Sequence, residues 1–305
     1  MTPDIIRQGE KIDRPGLYSM PINWYHSDCC IGPSISSTGI KTVLECPAKL
    51  WAFSPLNPDR LFPESTSVFD FGKATHSVVL EKRLSPREFA ISPFADFKSK
   101  AAQTWKAKAE RLGLAILKPE DLQTIAAMYQ QVIRHPIVEA GGLDGLVETS
   151  LIWQDKATGI WLKARPDTVP LGDATVNYKT CQSAALRDIA RDVVKYGYHI
   201  SEAMVAMGIA AVLKRQVANA GLLCQEKKAP YVVAFYELSD SFMAAGTRMV
   251  REGIDTFDRC LKSNDWPGYP EDNSTLIAPD YVVKRAFGDA KADIGTLDDL
   301  TTEEV

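Results

Sequence analysis

Three side chains define the chemistry open to this chain: Asp167, Asn177 and Lys179. Asp167 ends the tripeptide Arg165-Pro166-Asp167, in a run rich in β-formers from Ile160 to Val169. Asn177 and Lys179 lie in the next such run, Ala174 to Thr180. Residues two apart on a strand share a face, so Asn177 and Lys179 point the same way. A lysine at the functional end of an α/β sheet, beside an aspartate of the neighbouring strand, suits phosphodiester hydrolysis. Carboxylates hold Mg²⁺, and the metal polarises the phosphate and lowers the pKa of an attacking water. The lysine positions that water or neutralises developing charge.

The flanking sequence supplies the elements that must hold these groups. Val147 to Trp153 alternates as a strand does, and Asp155 to Gly159 is a turn. With the two runs above, these segments predict a β-meander. Helical spacing follows from Leu186 to Leu213, with Gly197 and Gly208 as weak points, then a short strand at Tyr231 to Leu238 and a helix over Ser241 to Leu261. Upstream, Ser34 to Ser37 offers N-caps for a short helix, and Pro47 suggests a break. Phe69 to Glu81, Lys98 to Leu112 and Pro119 to about Ile133 are further helices. Residues 54–67 and 82–97 are expected as loops. The order predicts a mixed α/β fold with helical N-terminal elaboration. The expected division is an N-terminal arm at 1–33, one domain at 34–287 and an acidic, disordered tail at 288–305.

Composition is that of an ordinary globular chain: 305 residues, 45% hydrophobic and 24% charged. It excludes a disordered chain, a collagen-like chain and a disulfide miniprotein. No run of about 18 apolar residues exists, so no transmembrane helix is expected. Met1 to Glu10 lacks the basic-then-apolar pattern of a signal peptide. The six cysteines form no CxxC pair and are expected as reduced thiols, which points to a cytoplasmic location and away from zinc. Net charge is −4, but Gly288 to Val305 carries six acids against Lys291 alone. The rest is near neutrality and neither excludes nor announces a nucleic-acid partner.

Pro166-Asp167 followed by Asn177-Tyr178-Lys179 resembles the signature of the PD-(D/E)xK nuclease superfamily. Phe71-Gly72-Lys73-Ala74-Thr75-His76 resembles the GxxxH helix of its RecB-like and RecE-like branches. Tyr196-Gly197-Tyr198-His199 resembles the YGYH helix of the RecE-like (exodeoxyribonuclease VIII) family. Tyr25-His26-Ser27, Ser34 to Ser37, Pro55 to Pro58, Lys163 to Asp167 and Glu226 to Tyr231 add to the likeness, which spans about residues 24 to 270.

The resemblance implies a restriction-endonuclease-like core of mixed sheet flanked by helices. It implies a Mg²⁺- or Mn²⁺-dependent exonuclease acting 5′ to 3′ on double-stranded DNA ends and leaving 3′ tails for recombination. It further implies a phage or prophage origin, a single-strand annealing partner and a ring-shaped homo-oligomer. By the same resemblance His76 and Asp167 are metal ligands, the Tyr178 carbonyl is a further ligand, Lys179 is catalytic and Tyr198 lies near the scissile phosphate.

Asn177 departs from the pattern, because an acid is expected there. An amide oxygen can touch a hard cation but brings no charge, so the chain as written is expected to be impaired or inactive. Three readings compete: an introduced inactivating change, a natural pseudo-nuclease that only binds DNA, or compensation by Glu202. Ser201 stands where the family often has Gln. The basic helix with Lys98, Lys100 and Lys106 is either a solvated face or a wall that tracks phosphates. Trp105 within it suits a core anchor better than a base-stacking wedge, and Arg165 either contacts DNA or orients a carboxylate. Glu81 reads as a surface residue and His199 as a structural hydrogen-bonder.

Overall fold

In a computed structural model of the chain, the described residues are 2–62, 67–86, 88–269 and 277–287. They fall in two units, divided after Gly268.

In the first unit, the elements before the meander region are β1 (Asp4–Ile5), β2 (Gly16–Ser19), α1 (Ile22–Tyr25), β3 (Ser34–Ser36), α2 (Ser37–Glu45) and α3 (Pro47–Phe53). They continue as α4 (Ser67–His76), β4 (Phe89–Ile91), α5 (Lys100–Arg111), β5 (Ala115–Leu117), α6 (Pro119–Val132) and α7 (Pro136–Glu139). Then come β6 (Gly145–Val147), β7 (Ser150–Gln154), β8 (Trp161–Ala164), β9 (Thr168–Pro170) and β10 (Ala174–Cys181). The unit closes with α8 (Leu186–Lys195), α9 (Tyr198–Leu213), β11 (Asn219–Glu226), β12 (Val233–Glu237) and α10 (Asp240–Ser263). The second unit contains α11 (Asp280–Phe287).

One sheet runs β1-β2-β7-β8-β3, and a second runs β10-β11-β12. The first carries the β7–β8 hairpin, closed through the turn at Asp155, where Asp155 Oδ2 accepts from both the backbone N–H and the hydroxyl of Thr158. In the second, β10 pairs parallel to β11, and β12 returns antiparallel. Short pairs β6–β9 and β4–β5 complete the strands.

The largest apolar cluster joins β7 and β8 to α2, α9 and α10 through Leu151, Trp153, Leu162, Ile40, Met204 and Ile254. Each such burial is worth roughly 1.5–3 kcal/mol. The β10–β11 layer is covered twice: Ile189 and Val193 of α8 pack over Leu222 and Cys224, while Val132 of α6 packs over Val176, Tyr178 and Leu223 on the opposite side. A strand buried on both faces is apolar almost throughout. That is the character of β11, where Ala220 to Gln225 are all buried.

Several expectations change, among them the loop expected at 82–97, which contains β4 paired with β5. The meander ends after two strands, because β10 leaves the first sheet to pair with β11. The run Ile160 to Val169 is two strands, β8 and β9, separated at Arg165 to Asp167. A proline there supplies no backbone N–H to continue a ladder. The helix from Leu186 to Leu213 is two helices, α8 and α9, and Gly197 between them has φ +61°. The conformation selects glycine there, and a Cβ would in addition have to displace Lys41, whose Cδ it would meet at 2.6 Å. Residues 1–33 contain β2, which pairs with β7, and bury Ile12, Tyr18 and Tyr25. The acidic stretch 288–305 lies outside the described residues. All six cysteines are free thiols and buried.

Candidate active site

The site is built on an edge of β10. Its one ladder partner among the described strands is β11, which leaves the other edge free for side-chain contacts. Tyr178 donates its backbone N–H across that edge to Asp167 Oδ2, at 2.6 Å. In an extended strand the N–H and C=O of one residue lie on the same side. The Tyr178 carbonyl therefore faces the Asp167 side as well. The Tyr178 side chain is fully buried, and its hydroxyl donates to Gln225 Oε1 at 2.5 Å. Gln225 in turn donates to the carbonyl of Met128 at 2.9 Å, so strand, β11 and α6 are fixed together.

His76 ends α4, and the chain continues as a π-helical turn over Ser77–Glu81. Such turns place side chains off the regular helical spacing. His76 Nδ1 stands 3.8 Å from Asp167 Oδ1, and its ring lies against Tyr178 with centroids 5.1 Å apart. Burial lowers the His76 pKa and outweighs the attraction of Asp167, so the imidazole is neutral near pH 7 with a lone pair to offer.

Thr175, Asn177 and Lys179 share the other face of β10, as their spacing predicts. Glu202 of α9 lies over this row. Asn177 Nδ2 donates to Glu202 Oε1 at 2.5 Å, and Thr175 Oγ1 donates to Oε2 at 3.4 Å. Glu202 is buried, and burial pushes its pKa up to about 7 against the pull of the Asn177 hydrogen bond and of Lys179. Buried Ile200, Met204, Val205 and Ile209 anchor the helix that carries it. Lys179 Nζ sits 5.7 Å from the ring centre of Tyr198, within cation–π range.

Two residues join the site without a signal in the sequence. Lys41 of α2 donates to the Tyr196 carbonyl and to Ser201 Oγ, each at 3.2 Å. Burial and the like charge of Lys179 lower its pKa, while Glu202 opposes them. Glu148, between β6 and β7, has φ +51°, and its charge reaches His76. The serine-rich approach to α2 marked a helix start and gave no reason to single out Lys41. A lone Glu between two apolar runs gave none for Glu148.

Other expected residues are placed differently. Arg165 is committed to structure: Nε donates to Glu148 Oε2 at 2.7 Å and Nη1 to the Met20 carbonyl at 3.1 Å. The carboxylate that it orients is Glu148, not Asp167. Lys98, which precedes α5, and Lys106 pair loosely with Asp96 and Glu110, and Lys100 is exposed in the first turn of α5. Trp105 is half-buried, edge-on to Phe94. His199 is buried between the Val193 carbonyl and Met249 Sδ, and Glu81 pairs with Arg83.

Among the described residues, no group of three or more His, Cys, Asp or Glu side chains is placed to hold a metal. The donor set here is mixed: the imidazole of His76, the carboxylate of Asp167, the amide oxygen of Asn177 and the carbonyl of Tyr178. Asn177 Oδ1 is buried and has no hydrogen-bond partner. Such an atom is costly unless something satisfies it. A hard divalent cation takes oxygen donors of this kind, so the residues present fit one.

The family described as a PDDEXK-like domain of unknown function (DUF3799) matches residues 36–278. The chain belongs to this family. The mixed sheet flanked by helices is the PD-(D/E)xK core. Among solved structures, a protein from Eubacterium rectale provisionally named an exonuclease aligns with a TM-score of 0.54 at 13% identity, covering 84% of this chain and 93% of its own. An alkaline exonuclease from Laribacter hongkongensis aligns at 13% identity over 63% of this chain and 97% of its own, with a TM-score of 0.23 that carries no weight for the fold. No curated protein matches the chain. Among the described residues, no helix of this PDDEXK-like domain is long and apolar enough to cross a membrane.

Proposed function

We propose that this PDDEXK-like domain is a divalent-metal-dependent exodeoxyribonuclease acting on the ends of linear duplex DNA. The observation that carries the reading is the convergence of His76, Asp167 and the Tyr178 backbone at the β10 edge, with Lys179 one residue further along the strand. His76, Asp167, Asn177 Oδ1 and the Tyr178 carbonyl would hold the cation. When bound, Mg²⁺ or Mn²⁺ supplies a Lewis acid for the phosphate and lowers the pKa of a water.

The chain's own groups do the rest. Tyr178 N–H fixes the carboxylate rotamer of Asp167. Lys179, braced over Tyr198, meets the negative charge that develops on the phosphate. Lys41, close enough to Lys179 to repel it electrostatically, adds a second cation for the DNA backbone. Lys98, Lys100 and Lys106 would track phosphates along α5 and the turn that leads into it. From the family resemblance the reading extends to 5′-to-3′ polarity, 3′ tails for recombination, a single-strand annealing partner, a ring-shaped assembly and a phage-borne, cytoplasmic setting.

The test is digestion of end-labelled linear duplex with Mg²⁺, with Mn²⁺ and with chelator, alongside Asp167→Ala. Metal-dependent loss of label by the unaltered chain alone is the expected result, and the end that disappears first gives the polarity. Asn177 favours a second reading, a domain that binds DNA without cutting it. Duplex binding with no cleavage under either metal selects that reading.

A further inference from the structure

The familiar motif would place a carboxylate at residue 177, and here an amide stands there. The amide is nevertheless held in one sense only. The side of Asn177 that faces Glu202 is its NH₂, a donor that a carboxyl oxygen accepts. At 2.5 Å from Glu202 Oε1, Nδ2 takes that place, and Oδ1 is turned the opposite way, buried and unpartnered. Thr175 occupies the other oxygen of Glu202 from two residues down the same strand face. Both Glu202 oxygens are thus engaged from β10, and the charge of Glu202 is felt at Lys41 and affected by Lys179 and Asp167.

We infer that the function of the missing acid is divided between two residues: Asn177 supplies the ligand oxygen, and Glu202, through its hydrogen bond to the amide, supplies the orientation and the negative charge. This rests on the metal-site reading above. Glu202 is then a positioning residue that acts through Asn177, and the amide is a competent part of the site and not a lesion. A consequence runs against the motif. Restoring the expected acid alone, by Asn177→Asp, sets two carboxylates in contact where a donor met an acceptor. Ionising both would cost more than ionising either one, so the conventional acid sits there at least cost when position 202 is a neutral amide.

The experiment is a four-protein cycle: the unaltered chain, Glu202→Gln, Asn177→Asp and the double variant, with Asp167→Ala as a control. Gln keeps the shape of Glu202 and can still accept from Asn177 and donate to Thr175, so folding should be retained. Each protein is measured twice, by thermal melting without metal and by calorimetric titration with MnCl₂. Glu202→Gln should weaken Mn²⁺ binding about tenfold or more, as loss of a partner behind a metal ligand does. Asn177→Asp alone should melt below the unaltered chain without metal. Adding Glu202→Gln to it should recover the melting temperature and bring Mn²⁺ affinity to at least that of the unaltered chain.

Unchanged Mn²⁺ affinity in Glu202→Gln, with binding abolished in Asp167→Ala, overturns the division of labour and leaves the metal site standing. Equal metal-free melting of Asn177→Asp and the unaltered chain overturns it too. Absence of Mn²⁺ binding from every protein, the unaltered chain included, overturns the metal-site reading and this inference with it.

Discussion

His76 and Asp167 face each other across 3.8 Å, Nδ1 to Oδ1, with the second oxygen of Asp167 already bound to the Tyr178 N–H. The separation is too long for a hydrogen bond. It is short enough for one cation to span, since two donors each about 2.1 Å from a Mg²⁺ ion lie at most about 4.2 Å apart. One carboxylate thus does two jobs with its two oxygens: Oδ2 ties the loop to β10, and Oδ1 is left for the site.

Those two jobs separate by mutation. Asp167→Asn keeps an acceptor for Tyr178 N–H and should retain stability while losing metal-dependent cleavage. Asp167→Ala should lose cleavage and also about 1–3 kcal/mol of stability, because it strands a partly buried donor. Urea unfolding and a duplex-digestion assay on both proteins check the split. Equal stability of the two would mean that the Tyr178 contact does not hold the loop.

Lys179 carries the clearest rate prediction. Lys179→Ala should slow single-turnover cleavage by about a hundredfold or more, the cost of deleting one group that stabilises a developing anion. Mn²⁺ affinity should not fall, since the change removes a positive charge. Parallel loss of rate and metal affinity would recast Lys179 as a structural residue.

Helix α10 meets α9 at Gly246, where a Cβ would stand 2.3 Å from the His199 carbonyl oxygen. Backbone cannot yield as a flexible side chain can. Gly246→Ala should therefore cost about 1–3 kcal/mol by overpacking. It should also lower cleavage, because the displaced helix carries Glu202. Chemical denaturation and the digestion assay together test both halves.

A pH dependence follows from Asp155, which joins the β7–β8 turn to α10 through Arg251 Nη1 at 2.9 Å. Burial works against the charged form, but hydrogen bonds from Thr158 and Arg251 outweigh it and hold the pKa below its ordinary value. A depressed carboxyl pKa gives stability that is present above the unfolded-state value and is lost as pH falls through the folded one. Asp155→Asn should cost on the order of 1 kcal/mol near pH 7, and the difference from the unaltered chain should shrink below about pH 4. Thermal melts from pH 3 to pH 8 would show a constant gap if this account is wrong.

Much of the fold was legible because its signals are local. Capping serines opened α2, with Ser36 as its N-cap, and Pro119 opened α6. Alternation gave β7, whereas Gly197 reads only as a weak point within one helix and is in fact the break between α8 and α9. The strand β11 is not legible for a physical reason: Ala220 to Cys224 is a short apolar run without alternation, and period alone cannot assign it. Without β11, the sequence places β10 in a meander with β8 and not beside a parallel partner. At the site, the spacing of Asn177 and Lys179 stated which residues share a face, and the oddity at 177 directed attention to Glu202. Lys41 and Glu148 arrive from distant segments by tertiary packing, which no local pattern encodes.

The parallel pairing of β10 with β11 also bears on how the protein comes into being on the ribosome. Short-range contacts settle first, and ladders that wait for distant segments settle late. His76, Asp167 and Lys179 are all synthesised before Asn219–Glu226, yet the strand bearing Lys179 has no ladder partner until that segment emerges. A nascent chain therefore carries every residue of its candidate catalytic set before β10 has its ladder partner.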